Sequence, residues 1–116
     1  MNAFNVSEYL KKESFEMDEF LVMIGRAELL SLEEEKALIA KARQGDDEAM
    51  NQLLWANSRF VTSLARQYQG KGNSVQELLK VGMTAFKNAV IEYDVHLEES
   101  LIKFAVPQMR KAMEKL

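Results

Sequence analysis

One helix, from about residue 74 to residue 93, constrains the fold of this chain more than any other stretch. Ser74 and Glu77 have the Ser-x-x-Glu spacing of a capping box, in which each side chain bonds the backbone N–H of the other residue. The box fixes the first turn of the helix. Apolar residues then recur at helical spacing and predict one buried face, made of Val75, Leu78, Leu79, Gly82, Phe86, Ala89, Val90 and Tyr93.

The opposite face of this helix is less polar than a face that meets only water. It carries Glu77, Lys80, Val81, Thr84, Asn88 and Ile91. A solvated helix face is typically charged or polar, whereas two of these six side chains are aliphatic. We therefore predict that this face contacts a partner.

The N-terminal part of the chain has weaker signals. Residues 1–6 show no pattern and are predicted to fray. A helix is predicted from about Ser7 to Ile24, with a break near Ser14 as an alternative, and Gly25 is a natural stop for it.

The remaining start and stop signals predict three more helices. A second Ser-x-x-Glu box opens a helix over 31–45, and an aspartate pair caps a longer one over about 46–69. The last helix is predicted over about 100–115, where Pro107 predicts a kink or a helix start. With no strand pattern and no repeat, the predicted fold class is all-α, a compact bundle of four to five helices around the 46–69 and 74–93 pair.

Length and composition limit the class of protein. At 116 residues the chain is predicted to form one domain, with an N-terminal helical segment over 1–30 and a core over 31–116. It has no cysteine, which excludes a disulfide framework and a thiolate metal site. It has no apolar run of about 20 residues and no signal-peptide pattern, so we expect a cytoplasmic protein without membrane association.

Charge is divided unevenly along the chain. Residues 1–35 carry nine acidic and three basic side chains, whereas residues 36–116 carry nine acidic and twelve basic ones. Strong nucleic-acid binding usually requires a clear basic surplus, because phosphate neutralisation supplies much of the affinity. The chain as a whole lacks that surplus, and the N-terminal acids are expected either to oppose DNA or to cover a basic surface.

The sequence offers no constellation for catalysis. His96 has no cysteine or serine motif beside it and is predicted to be an exposed loop residue. The acidic runs at 33–35 and 46–48 begin helices, where the helix dipole favours negative charge without any ion. The Gly-Lys-Gly at 70–72 lacks a preceding strand and a full phosphate-binding motif, so a helix end and turn is favoured. We predict no enzyme activity, metal, cofactor or small-molecule substrate.

Three further positions have two interpretations each. Trp55 lies off the apolar stripe of its helix and is predicted to pack under the N-terminal segment, against Phe15 or Phe20, with an interface anchor as the alternative. Asn57 lies inside the stripe and is predicted to hold backbone rather than to do chemistry. Near the C-terminus, one aromatic residue lies among three basic ones: Lys103, Phe104, Arg110 and Lys111. This group could bind single-stranded DNA, and the alternative is that Phe104 is a core residue.

The order of short motifs resembles the sigma-70 family of bacterial RNA polymerase sigma factors, over the segment before region 2 and most of region 2. The similarity runs from about Phe20 to Met113. The matching motifs are DEFLVMIGRAELL at 18–30, SLEEE at 31–35, the G-D-x-x-A at 45–49, the L-L-x-A-N-x-R-x-V at 53–61, YQGKG at 68–72 and S-x-x-E-L-L at 74–79.

The resemblance implies a helical domain that binds RNA polymerase core and captures melted promoter DNA as a single strand. The implied contacts with the coiled coil of the largest polymerase subunit are Glu77, Lys80, Val81, Thr84 and Asn88. The implied DNA contacts are Lys103, Phe104, Arg110 and Lys111.

The sequence departs from the family at both places. Lys80 and Val81 replace a Gln-Glu pair on the polymerase face, and the family's polymerase coiled coil is basic, so docking should be weakened or redirected. Pro107 and Gln108 replace two tryptophans, and the segments that read promoter sequence are not in the chain. The favoured hypothesis is a sigma-like protein of transcription initiation. The alternatives are a degenerate sigma paralogue that regulates by protein binding alone, and a helical module unrelated to transcription.

Overall fold

The computed structural model describes residues 4–97 and 99–116, and all regular structure in this part of the chain is helical. The all-α prediction is confirmed. The described residues form six helices rather than four or five, because the N-terminal segment forms two short helices, which confirms the alternative of a break near Ser14. The helices are α1 Val6–Leu10, α2 Met17–Gly25, α3 Leu32–Arg43, α4 Asp47–Arg66, α5 Val75–Glu92 and α6 Leu101–Glu114.

Helix α5 lies at the centre of the bundle and packs against α4 and, most extensively, against α6. Helices α5 and α6 run antiparallel, since the ring of Tyr93 meets that of Phe104 while Gly82 meets Met113. A β-carbon at Gly82 would lie 2.5 Å from Met113 Cε and 3.2 Å from Val61 Cγ1, so glycine allows this close approach. The radius of gyration, 13.6 Å, matches the roughly 13 Å of a compact chain of this length.

The burial of α5 follows its predicted apolar face. Seven of the eight predicted residues are buried and Val75 is half-buried, while Met83 and Ala85 are buried in addition. On α4, Asn57 lies in the core and its amide donates to the carbonyl of Leu53 at 2.8 Å, which confirms that it holds backbone. The periodicity of the sequence therefore identified most of the central interface.

The helix boundaries follow the capping signals. Both Ser-x-x-Glu boxes form, one at Ser31 and one at Ser74. Gly45, after α3, has φ +96°, a conformation that favours glycine. Helix α6 begins after Ser100 and runs through Pro107 without interruption, so the alternative of a helix start at the proline is wrong. The side chain of Ser100 supplies the cap, accepting from the N–H of Lys103 at 3.3 Å.

The beginning of the described chain is more ordered than predicted. Fraying is wrong for residues 4–6, since Asn5 caps α1, Val6 is fully buried and Phe4 joins a cluster of aromatic rings. The amide of Asn51 on α4 explains this order: it donates to Phe4 O at 2.8 Å and accepts from Val6 N–H at 2.9 Å. Residues 1–3 lie outside the described part.

Trp55 packs under the N-terminal segment, as predicted. Its indole N–H donates to the carbonyl of Met23 at 2.9 Å, and the ring that it meets is that of Phe4, 6.2 Å between centroids. The ring of Phe4 lies between those of Trp55 and Phe20. Trp55 therefore packs against Phe4 rather than against the predicted Phe15 or Phe20. On α5, Gln76 holds the end of α1 through the carbonyls of Leu10 and Lys12. The two bonds measure 2.7 and 2.8 Å.

Candidate functional site

The exposed face of α5 forms one wall of a groove, and α6 forms the other. The groove has a volume of about 350 Å³ and is lined by Lys80, Val81, Thr84, Ala85, Asn88, Ala112 and Lys115. Four of the five predicted polymerase contacts are in this set. The sequence pattern therefore selected side chains that the fold brings together on one open surface.

Glu77, the fifth predicted contact, lies in the first turn of α5 outside the groove lining. Its Oε1 accepts from the backbone N–H of Ser74 at 3.2 Å and from the Ser74 hydroxyl at 3.1 Å. The carboxylate is thus engaged in the capping box. A substitution at Glu77 would disturb the start of the helix together with any partner contact.

The groove is apolar at its floor and cationic at its two walls. Val81, Ala85 and Ala112 supply aliphatic surface, Ala85 being buried and the other two half-buried. Lys80 on α5 and Lys115 on α6 are exposed. No acidic side chain is among the seven lining residues, which are all in the described part of the chain.

The hydroxyl of Thr84 is already used by its own helix. It donates to the carbonyl of Lys80 at 3.0 Å, one turn earlier. Asn88 is exposed one turn further along the groove. The side-chain amide of Asn88 is therefore the polar group best placed to donate to or accept from a partner.

The predicted DNA contacts on α6 divide into two groups. Lys103, Arg110 and Lys111 are exposed, and Lys103 and Arg110 are seven residues apart, so they lie on the same face about two turns from each other. Phe104 is half-buried, and its ring packs against that of Tyr93 in a T-shaped arrangement, 5.6 Å between centroids. Phe104 thus belongs partly to the core.

Tyr93 fixes the connector before α6. Its hydroxyl donates to the carbonyl of Glu99 at 2.6 Å. Burial, followed by the nearby charge of Glu35, raises the pKa of Tyr93 above its ordinary value of 10.0, so the hydroxyl stays a donor at neutral pH. His96 lies in this connector, is exposed and donates its backbone N–H to Asp94, as a loop residue does.

The structure adds an exposed basic and aromatic surface on α4 that the sequence patterns did not indicate. Arg59 and Arg66 are seven residues apart on one face, and between them Phe60 is 57% exposed. Gln67, next to Arg66, accepts from Arg110 of α6 at 3.2 Å, which places Arg110 beside the last turn of α4. Two helices therefore contribute cations to one region.

A shallow depression accompanies this surface. It measures about 310 Å³ and is lined by Leu29, Ala56, Arg59, Phe60 and Ser63. Leu29 is 76% exposed, so the loop between α2 and α3 presents an aliphatic side chain beside the ring of Phe60. Phe60 itself offered a sequence signal, since a phenylalanine off the apolar stripe of α4 has no core to enter.

Residues 4–97 and 99–116 contain no group of three or more side chains that could hold a metal ion. In the same part of the chain no helix is long and apolar enough to cross a membrane. The features described above, the α5–α6 groove and the surface around Phe60, are open faces of a small all-helical domain.

Comparison with known proteins finds relatives of this chain among bacterial sigma factors. RNA polymerase sigma factor SigA of Listeria monocytogenes serovar 1/2a (strain ATCC BAA-679 / EGD-e) is 34% identical to this chain over 94 residues, and so is SigA of Listeria innocua serovar 6a (strain ATCC BAA-680 / CLIP 11262). The chain is related to the sigma-70 family, as the motifs predicted. The aligned part covers 81% of this chain and 25% of each relative. No protein-family profile matches the chain.

Proposed function

We propose that this protein acts in bacterial transcription initiation as a sigma-like, non-catalytic factor that binds RNA polymerase core through the α5–α6 groove. One observation carries the proposal: in a chain related to sigma factors, four residues predicted to contact polymerase line one exposed groove. These are Lys80, Val81, Thr84 and Asn88. The polymerase element expected there is the coiled coil of the largest subunit, and the expected compartment is the cytoplasm.

A pull-down with bacterial core polymerase tests this proposal, with and without an intact competing sigma factor. Val81→Asp places a charge on the apolar floor of the groove and should lower retention of core at least about tenfold. Val22→Asp is the matched control, because Val22 is 56% exposed on α2 and does not line the groove. Equal retention of core by both variants would exclude the groove as the polymerase contact.

The same proposal includes promoter DNA as a second partner, held as a single strand on the basic surface of α4 and α6. Arg66 and Arg110 would neutralise phosphates, and the exposed ring of Phe60 would stack a base. Lys103 and Lys111 extend the cationic surface along α6. Phe104 supports this function only indirectly, since its ring is half-buried and packed against Tyr93.

A second candidate function is regulation by protein binding alone, without promoter recognition. The half-buried position of Phe104 favours it, because the family's stacking tryptophans are replaced by Pro107 and Gln108 and the nearest aromatic ring is not free. Under this function the protein would compete with sigma factors for core or bind another protein. Titration with promoter-like single strands at physiological salt separates the two: binding rejects the second candidate, and its absence rejects the DNA part of the first.

A further inference from the structure

We infer that the α5–α6 groove accepts an acidic amphipathic helix of a partner protein. The inference rests on the proposed function in its choice of face, and it goes further by naming the chemistry of the partner segment. The evidence for it is the charge of the two groove walls. Both walls carry lysines, whereas a basic partner would require acidic residues there.

The shape of the groove fits the side chains along one face of a helix. Its floor is made of the aliphatic side chains of Val81, Ala85 and Ala112, and the small size of the two alanines leaves the space open. An amphipathic helix fills such a groove with apolar residues spaced at i, i+3, i+4 and i+7. No aromatic ring is among the lining residues, which makes the groove a poor stacking surface for nucleic-acid bases.

The charge around the groove determines the sign of the partner. Lys80 and Lys115 are exposed on opposite walls, and Lys111 is exposed on α6 one turn before Lys115. The carboxylate of Glu77 keeps its charge, but it is held at the first turn of α5 by Ser74 and lies outside the groove lining. Acidic residues that flank the apolar stripe of a partner helix would face these ammonium groups, whereas basic residues would be repelled.

Two designed peptides test the inference directly. Both are helical and share one apolar stripe, but one carries Glu at every flanking position and the other carries Lys. With the ¹⁵N-labelled chain of 116 residues, the Glu peptide should bind at least about tenfold more tightly than the Lys peptide at low salt. It should shift the amide signals of Val81, Thr84 and Ala112. Equal binding, or shifts confined to other helices, would overturn the inference.

The double variant K80E/K115E provides the charge reversal. Both side chains are exposed, so helix content by circular dichroism should be unchanged, and the preference should switch to the Lys peptide. The matched control is K36E/K41E, which makes the same change in charge at two exposed positions on α3. If the control switches the preference equally, overall charge rather than the groove selects the partner, and the inference fails.

Core polymerase, tested with the same variants, separates this inference from the proposed function. Core binding that K80E/K115E weakens supports both, and it means that the polymerase segment in the groove is acidic rather than the basic coiled coil of the family. Core binding that the variant strengthens supports the polymerase proposal and overturns the acidic partner. Selective binding of the Glu peptide without any core binding supports the acidic partner and overturns the polymerase proposal.

Discussion

Two phenylalanines show how position changes the role of the same residue. Phe60 is 57% exposed on α4 beside Arg59, whereas Phe104 is half-buried against Tyr93. Base stacking needs an accessible ring face, and core packing needs an enclosed one. The residue that the sequence suggested for DNA is thus the less accessible of the two.

Substituting each ring with alanine should separate the two roles. Phe60→Ala should weaken single-stranded DNA binding by about 1–3 kcal/mol and leave the unfolding midpoint nearly unchanged. Phe104→Ala should lower the free energy of unfolding by about 1–3 kcal/mol, because it leaves space beside Tyr93, with little effect on DNA. Fluorescence anisotropy and urea denaturation measure the two quantities. Loss of DNA binding only in Phe104→Ala would reverse the assignment.

Adjacent carboxylates on α3 have pKa values shifted in opposite directions. Glu34 accepts the backbone N–H of Ser31 at 2.9 Å, and this bond holds its pKa below the ordinary 4.5. Burial raises the pKa of Glu35 above the same value. By linkage, ionised Glu34 contributes stability above pH 4.5 that is lost as pH falls through its folded pKa, while ionised Glu35 costs stability that is recovered as pH falls.

Glutamine variants of this pair should show the two signs. Glu34→Gln keeps a side chain that can close the capping box but loses the charge, so stability at neutral pH should fall and its decline between about pH 5 and pH 3 should flatten. Glu35→Gln should raise stability at neutral pH. Urea midpoints across this pH range measure both. A gain from Glu34→Gln would show that the charge at the cap is unfavourable.

At the scale of elements, polar side chains bind the backbone of the N-terminal segment. Gln76 donates hydrogen bonds to two carbonyls at the end of α1 and just after it. Asn51 bonds the backbone of Phe4 and Val6, and Trp55 donates to a carbonyl in the last turns of α2. These contacts lie on α4 and α5. The predicted covering of a basic surface by the N-terminal acids therefore does not extend to Arg66 and Arg110, which are exposed.

Removing one of these side-chain hydrogen bonds should lower the local stability of α1 without changing that of the core. Gln76→Ala loses two hydrogen bonds to carbonyls, which corresponds to about 1–3 kcal/mol of local stability. Amide hydrogen exchange of Val6–Leu10 should accelerate, while exchange in the middle of α5 should stay unchanged. Gln69→Ala, at an exposed turn position, is the control. Faster exchange throughout the protein would mean that α1 and the core unfold as one unit.

At the scale of the whole molecule, packing brings together basic residues that are far apart in the sequence. The bond between Gln67 and Arg110 joins the end of α4 to α6, so cations from two helices share a surface. A net charge of −3 excludes a uniformly basic protein, but it does not exclude a local basic region. Any DNA binding should therefore depend on where the cations lie.

The double variant R66A/R110A tests this regional dependence. Its affinity for single-stranded DNA should fall about tenfold, and the salt slope should decrease by about 1.4, since each phosphate contact on a single strand contributes about 0.7. K36A/K41A removes the same charge from α3, where both lysines are exposed, and should change either quantity little. Equal losses in the two variants would indicate binding through net charge.

The sequence alone determined the four helices α3 to α6 and the face that α5 buries. Both capping boxes, the helix ends and the apolar stripe of α5 depend on contacts within a few residues, and such local physics can be identified without a fold. The same locality identified Lys80, Val81, Thr84 and Asn88 as one exposed stripe. It also predicted that Trp55 lies under the N-terminal segment.

Tertiary structure decided what those faces meet. Ala112 and Lys115 complete the groove only because α6 packs antiparallel to α5 across Gly82. Phe4 and Val6 are ordered because Asn51, 45 or more positions away, bonds their backbone. No local pattern encodes such pairings, since they arise when separate apolar faces are buried together and bring distant polar groups within hydrogen-bonding distance.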